Sequence, residues 1–324
     1  MDPGQIRQFL GDDWTRAEAL FKETLHSDVA LLDKTNCYIL ENRGKMLRPA
    51  LSLLVSRACG KPSEESVKVA VAAELLHNAT LLHDDVLDDG SLRRGVPTVA
   101  SMIGTKPSVL IGDFWLVKAM KTVLDCTRHT RQMADLFSKT VLDLVQGEML
   151  QMEKAASGDT TEEDYLQIIY YKTASLFETV CAGAALSVDA PEQYAAAVSE
   201  YGRQLGLAFQ IKDDILDYEG DALGKPVGAD LRERKITLPL LGALKKVDAL
   251  QEARIRQMVC DIPSQEENSR AVAGMVESLQ GTRYAALRLE EYVSGAKDAL
   301  HPLPDSEEKE LLLRFADYCA YRTI

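Results

Sequence analysis

The stretch Val67–Leu82, VKVAVAAELLHNATLL, says most about the architecture. Wound as a helix it is apolar on nearly every face, broken only by Lys68, Glu74, His77, Asn78 and Thr80, and such a helix belongs in the middle of a bundle. Its far end runs into Asp84-Asp85-Val86-Leu87-Asp88, and the same pattern returns later as Asp213-Asp214-Ile215-Leu216-Asp217. At about 3.6 residues per turn the first and last Asp of each motif share a helix face, where their carboxylates repel. A divalent cation that prefers oxygen ligands, such as Mg2+, turns that repulsion into binding. The repeated motif therefore points to a divalent-metal site for phosphorylated ligands.

Outward from this stretch the helical period continues. From Trp14 onward apolar residues recur at three- and four-residue intervals, as in Val141, Leu144, Val145, Met149 and Met152, or Leu311, Leu312, Phe315, Tyr318 and Cys319. No stretch alternates with period two. The expectation is an all-α protein, one domain over residues 1–324, built as a single large helical bundle around a central cavity. Connections are expected near Lys61–Ser63, Asp89–Pro97, Ser157–Thr160, Val188–Pro191, Gly220–Gly228 and Pro302–Pro304. Thr160-Thr161-Glu162-Glu163 reads as a helix start of the capping-box kind. A helix over Tyr194–Leu216 would deliver the second acidic motif, and the two motifs are expected to face each other across a cavity with a polar rim and an apolar shaft.

Composition narrows the function classes. A formal net charge of −13 argues against a nucleic-acid surface, which needs a field of Lys and Arg. The six cysteines, Cys37, Cys59, Cys126, Cys181, Cys260 and Cys319, form no paired spacing of the zinc or redox kind and read as reduced thiols. The N-terminal residues carry charges throughout, with no secretory apolar core, and every apolar run is well short of the roughly 18 residues that cross a bilayer. Cytoplasmic residence is the expectation, with an apolar product drawing the chain to a membrane surface.

A phosphorylated substrate also needs cations. Gly44-Lys45-Met46-Leu47-Arg48-Pro49 reads as two cations one helical turn apart, with Pro49 in the first turn of a helix continuing through Ala58. His77 lies two turns before Asp84, and Arg93-Arg94-Gly95 follows the first motif closely. Lys172-Thr173, Lys225 and Lys235 ahead of Thr237-Leu238-Pro239 complete the set. Each alone reads just as well as a solvated cation or a hydrogen-bonded core histidine.

In combination they resemble a family. Gly44-Lys45-x-x-Arg48-Pro49, Leu82-His83-Asp84-Asp85-x-x-Asp88, Arg93-Arg94-Gly95, Gly112-Asp113, Lys172-Thr173, Gly206-x-x-Phe209-Gln210-x-x-Asp213-Asp214-x-x-Asp217 and Lys235-x-Thr237-Leu238-Pro239 stand in the order and spacing of the trans-type polyprenyl diphosphate synthases, and most resemble the bacterial long-chain, octaprenyl-like members. The resemblance implies the all-α isoprenoid synthase fold, a homodimer, and extension of an allylic diphosphate (farnesyl or geranylgeranyl) by isopentenyl diphosphate. It implies that Asp84, Asp88 and Asp213 ligate Mg2+, about three ions per active site, with Asp85, Asp214 and Asp217 in or near the shell. It implies that Arg93, Lys172, Lys225 and Lys235 bind the allylic diphosphate, and Lys45, Arg48, His77 and Arg94 bind isopentenyl diphosphate. Thr173 and Gln210 are expected to steady the allylic cation, and the departing diphosphate to take the proton. Met46 stands where the family is often basic, Arg234 where it often has Gly, and the tail after Ala320 carries Arg322 as its single cation.

Chain length follows from the helix before the first motif. Ala79 and Thr80, one or two turns back from Asp84, are small, so a growing chain passes them and the floor falls deeper, near Leu75 and Leu76. Each turn descends about 5.4 Å, comparable to one isoprene unit, so the product is expected to reach hexaprenyl to nonaprenyl length. The rival readings are a short-chain synthase of the same family, a terpene cyclase, which has no use for a second diphosphate site, and a non-catalytic subunit of a heteromeric synthase.

Overall fold

The computed structural model of the chain describes residues 3–219 and 228–322. Apart from one two-residue strand pair, the described elements are helical, as the three- and four-residue spacing requires. The chain folds into two compact units, and it passes from one to the other inside helices except at His301–Pro302, which lies between helices.

The first unit comprises the chain up to Lys139, then Thr179–Ser199 and Pro302–Leu312. It opens with α1 (Pro3–Leu10), α2 (Asp12–Leu25), α3 (Ala30–Glu41), α4 (Leu47–Cys59) and α5 (Glu64–Leu87). A hairpin of β1 (Leu92–Arg93) and β2 (Val96–Pro97) leads to α6 (Val99–Ile103) and α7 (Thr105–Leu124). α5 contains the stretch quoted above, and its apolar residues from Val67 to Leu76 are buried on all sides. Each such side chain contributes on the order of 1.5–3 kcal/mol of burial, which fixes α5 as the core helix of this unit. It packs most heavily on α7. There Trp115 is fully buried, edge-on to Phe21 at 5.7 Å, and its Nε1 donates to Asn36 Oδ1 at 2.9 Å. Asn36 in turn donates to the Leu25 carbonyl at 2.7 Å, so the polar groups in this contact are satisfied.

The second unit comprises Thr140–Glu178, Glu200–His301 and the chain from Leu313. Its elements begin within α8 (Thr130–Ser157) and continue through α9 (Glu162–Ile169), a π-helix (Tyr170–Ala174), the first turn of α10 (Ser175–Ser187), whose remainder belongs to the first unit, and α11 (Glu192–Tyr218) from Glu200 onward. After these come α12 (Ala229–Arg232), α13 (Leu238–Leu244), α14 (Ala249–Asp261), α15 (Glu267–Ser278), α16 (Gly281–Ala299) and α17 (Glu307–Tyr321). Gly206 lies so close to Ala174 that a Cβ would strike the opposing backbone, which seats α11 tightly against the π-helix. Phe177 and Phe209 pack beside this contact, tilted by 41° with centroids 5.3 Å apart.

Two local readings need correction. The capping box is present, but its N-cap is Thr161 and its reciprocal partner Asp164 rather than a glutamate. Lys45 and Arg48 are not one helical turn apart, because Met46 adopts a left-handed conformation (φ 50, ψ 48) and α4 starts only at Leu47. Lys45 is therefore an exposed residue ahead of the helix, and its carbonyl accepts from Arg7 at 2.7 Å.

Candidate active site

In the first unit α5 ends within the acidic motif. Asp88 is its C-cap, Asp89 turns left-handed (φ 48), and the Gly90 N–H returns to the Asp85 carbonyl at 3.0 Å. Carboxylates at the negative end of a helix dipole are disfavoured unless a cation answers them. The three Asp divide the task. Asp85 is buried and accepts from Arg93 Nε at 2.7 Å, whereas Asp84 is half-buried and Asp88 exposed.

Arg93 reaches Asp85 because the hairpin folds back over the helix end. Arg94 and Gly95 form its two-residue turn, both with positive φ (55 and 80), as a primed turn requires. Thr98 Oγ1 ties the return strand to the Gly90 carbonyl at 2.6 Å. The Arg94 guanidinium then occupies the space where a Cβ on Gly44 would stand, so any side chain at that position would push it aside. A cavity of about 60 Å³ beneath the hairpin is lined in part by Arg43, Asn78, Asp85, Arg93 and Arg94.

Three of the four residues expected to bind isopentenyl diphosphate act on one another here. Burial, followed by the charges of Arg48, Arg94 and Arg93, holds His77 well below its ordinary value of 6.5, so the imidazole is neutral. Buried Glu74, which accepts from Asn78 Nδ2 at 3.2 Å, is pushed up by burial and drawn back by Arg48, Arg94 and Arg43. Glu74 and Arg43 escaped sequence reasoning: one reads as a polar break in a core helix and the other as a loop cation. Of the residues expected to set chain length, Leu75, Leu76 and Ala79 are buried, and the Thr80 hydroxyl donates to the His77 carbonyl at 2.8 Å.

In the second unit α11 presents the other motif near its C-terminus. Asp214 is buried, and it accepts from Tyr165 Oη at 2.6 Å and Gln210 Nε2 at 2.9 Å. Gln210 Oε1 accepts from Thr173 Oγ1 at 2.8 Å, which links the motif to the π-helix. Lys172 lies in the same π-helix and pairs with Glu148, while Lys235 pairs with Glu233. Asp217 accepts the N–H groups of Ala229 and Asp230 at 3.0 and 3.2 Å and so holds the start of α12. Asp213 is exposed over nearly half its side chain and accepts from Arg322 at 2.6 Å. Lys225 lies outside the described residues.

This end is crowded with negative charge. Burial first, then Asp230, pushes Asp214 well above the usual carboxylate range. Burial and Asp217 push Asp230 up to about 7, against the pull of Lys235 and Lys172. Tyr165 and Asp230 were not read from the sequence. Tyr165 looks like one more apolar residue of an amphipathic helix, and Asp230 sits in a mixed-charge stretch without a motif.

Among the described residues no three His, Cys, Asp or Glu side chains form a cage for a metal. Mg2+ does not require one, because it binds through one or two carboxylates, with substrate phosphates and waters supplying the other ligands. Asp84, half-buried, and Asp88 and Asp213, exposed, stand at helix ends of unfavourable dipole sign and fit that role. The inner Asp of each motif is instead committed to protein donors.

Comparison with known proteins places the chain in a family. Residues 29–276 match the polyprenyl synthetase family. The chain is 37% identical over 320 residues to an octaprenyl diphosphate synthase of Haemophilus influenzae, covering 98% of this chain and 96% of that one. It is also 34% identical over 290 residues to a short chain isoprenyl diphosphate synthase of Methanothermobacter thermautotrophicus, covering 88% of each. Among solved structures, the polyprenyl synthase of Caulobacter crescentus, complexed with calcium and isoprenyl diphosphate, superposes with a TM-score of 0.91 at 30% identity, covering 99% of this chain and 98% of that one.

Proposed function

Since the chain belongs to the polyprenyl synthetase family and is a prenyltransferase, we propose that it condenses an allylic diphosphate with isopentenyl diphosphate, head to tail and in trans, in a Mg2+-dependent reaction that yields a long-chain polyprenyl diphosphate. One observation carries the reading. The same acidic pattern stands at the C-terminal end of two helices, with its inner carboxylate buried against protein donors and with Asp84 half-buried and Asp88 and Asp213 exposed.

In this reaction Asp84, Asp88 and Asp213 hold Mg2+, which supplies charge neutralisation to the leaving diphosphate. Arg93, Lys172 and Lys235 add fixed positive charge on the same group, and Lys225 is assigned with them by its motif. Arg48, Arg94 and neutral His77, with Lys45 at the rim, take the diphosphate of isopentenyl diphosphate. Glu74 keeps those guanidiniums from repelling one another when the site holds no anion. Thr173 and Gln210, aligned by their shared hydrogen bond, turn fixed dipoles toward the allylic carbon as its charge develops. The proton goes to the departed diphosphate.

Octaprenyl- and nonaprenyl-forming relatives support a long product, and so do the small side chains at Ala79 and Thr80. A short product remains the second reading, supported by the short-chain relative. A homodimer is supported by the exposed apolar stripe Leu142, Val145, Met149 and Met152 on α8, a face that soluble proteins ordinarily cover. The test is the product made by purified chain from farnesyl and isopentenyl diphosphates with Mg2+. A hexaprenyl or longer product, shortened by Ala79→Tyr, is expected. A farnesyl- or geranylgeranyl-length product would overturn the long-chain assignment, and no consumption without a second protein would point to a non-catalytic subunit.

A further inference from the structure

Arg322 stands one residue beyond the end of α17, and its side chain is only 6% exposed. Its Nη2 donates to Asp213 Oδ1 at 2.6 Å and to the Phe209 carbonyl at 3.1 Å, and its Nη1 donates to the Cys319 carbonyl at 3.2 Å. The guanidinium lies 3.6 Å from the centroid of the Phe209 ring. A carboxylate, two carbonyls and an aromatic face thus converge on one terminal cation, more than a solvated tail residue requires. The carboxylate is the one assigned to the metal on α11, and Phe209 lies one turn before it on the same helix.

We propose that Arg322 is a positioning residue that competes with the divalent cation for Asp213, a reversible latch that ties the last turn of α17 to the acidic end of α11. This rests on the reading of Asp213 as a metal ligand. The guanidinium places one full positive charge on the carboxylate oxygen and fixes the rotamer. A metal–diphosphate unit that takes this carboxylate oxygen displaces Arg322. Loading the site therefore loosens the C-terminal turn, and the two carbonyls released at Phe209 and Cys319 return to solvent. Occupancy of the metal is thereby coupled to the order of the chain terminus.

The experiment measures Mn2+ affinity by electron paramagnetic resonance on the full chain, with an unreactive allylic thiolodiphosphate present, for wild type, Arg322→Ala, Asp213→Asn and the double variant. Hydrogen exchange of residues 318–322 is followed in wild type before and after loading. Arg322→Ala is expected to tighten Mn2+ at least about threefold, Asp213→Asn to weaken it, and the double variant to match Asp213→Asn alone. Exchange at 318–322 is expected to accelerate on loading. Unchanged or weaker Mn2+ affinity in Arg322→Ala, with Asp213→Asn still weakened, overturns the latch and leaves the metal assignment standing. Unchanged affinity in Asp213→Asn overturns both.

Discussion

At the end of α5 the inner carboxylate, Asp85, meets a guanidinium; at the end of α11 its counterpart, Asp214, meets a phenol and an amide. The same five-residue pattern is thus supported in two electrostatic ways. The first end neutralises its inner charge with Arg93, drawn in by a primed hairpin turn. The second gathers Asp213, Asp214, Asp217 and Asp230, and burial first, then that negative charge, pushes the inner carboxylate well above the usual carboxylate range. Asp85 is therefore part of an ion pair that favours the fold, whereas Asp214 is a strained acid whose negative charge is useful mainly when cations arrive.

Neutralising each inner Asp should separate the two designs. Asp85→Asn removes the charge that answers Arg93 and is expected to cost about 1–2 kcal/mol in denaturant unfolding, discounted because Arg93 is partly exposed. Asp214→Asn keeps an acceptor for Tyr165 and relieves repulsion but gives up the acceptor of Gln210 Nε2, so a loss below about 1 kcal/mol, smaller than at Asp85, is expected without added metal. Equal losses at both positions would mean that the contrast between the ends is only geometric.

The pH dependence probes the first end further. His77 is held below its ordinary 6.5, so the unfolded chain takes up that proton more readily than the folded one. Its contribution to stability is present above about pH 6.5 and is lost as the pH falls toward the depressed folded value. A fall of several degrees in Tm between about pH 6.5 and 5 is expected in wild type, and a flatter profile in His77→Gln. An unchanged slope in the variant would assign the acid sensitivity to other groups.

The smallest effect concerns the turn after α12. Arg234 is left-handed (φ 58), its N–H bonds the Leu231 carbonyl at 2.9 Å, and the Lys235 N–H bonds the Asp230 carbonyl at 2.8 Å. This is the Schellman arrangement, where glycine is the usual residue. Arg234→Gly removes the steric cost of the left-handed conformation against a loss of backbone entropy, and should stabilise the second unit by about 0.5 kcal/mol. Destabilisation would show that the Arg234 side chain is itself needed.

What could be read in the sequence was whatever repeats locally. α5 was visible because a helix apolar on every side is stable only when neighbours cover it all round, and the two acidic motifs because their i, i+4 spacing occurs twice. The supports of those carboxylates were not legible. Tyr165 and Asp230 reach Asp214 only through the tertiary fold, and the π-helix at Tyr170–Ala174, one residue wider than its neighbours, has no composition that announces it. The break at Met46 was missed for the same reason, since nothing local forbids a methionine from continuing a helix.

The proposed reaction requires both acidic helix ends to serve one metal–diphosphate unit. The decisive measurement is calorimetric titration of an unreactive allylic thiolodiphosphate in Mg2+, on wild type, Asp84→Asn and Asp213→Asn. Each variant is expected to lose at least about tenfold in Mg2+-dependent affinity, since the proposed site draws a carboxylate from each motif. Wild-type affinity in either variant would contradict the shared site.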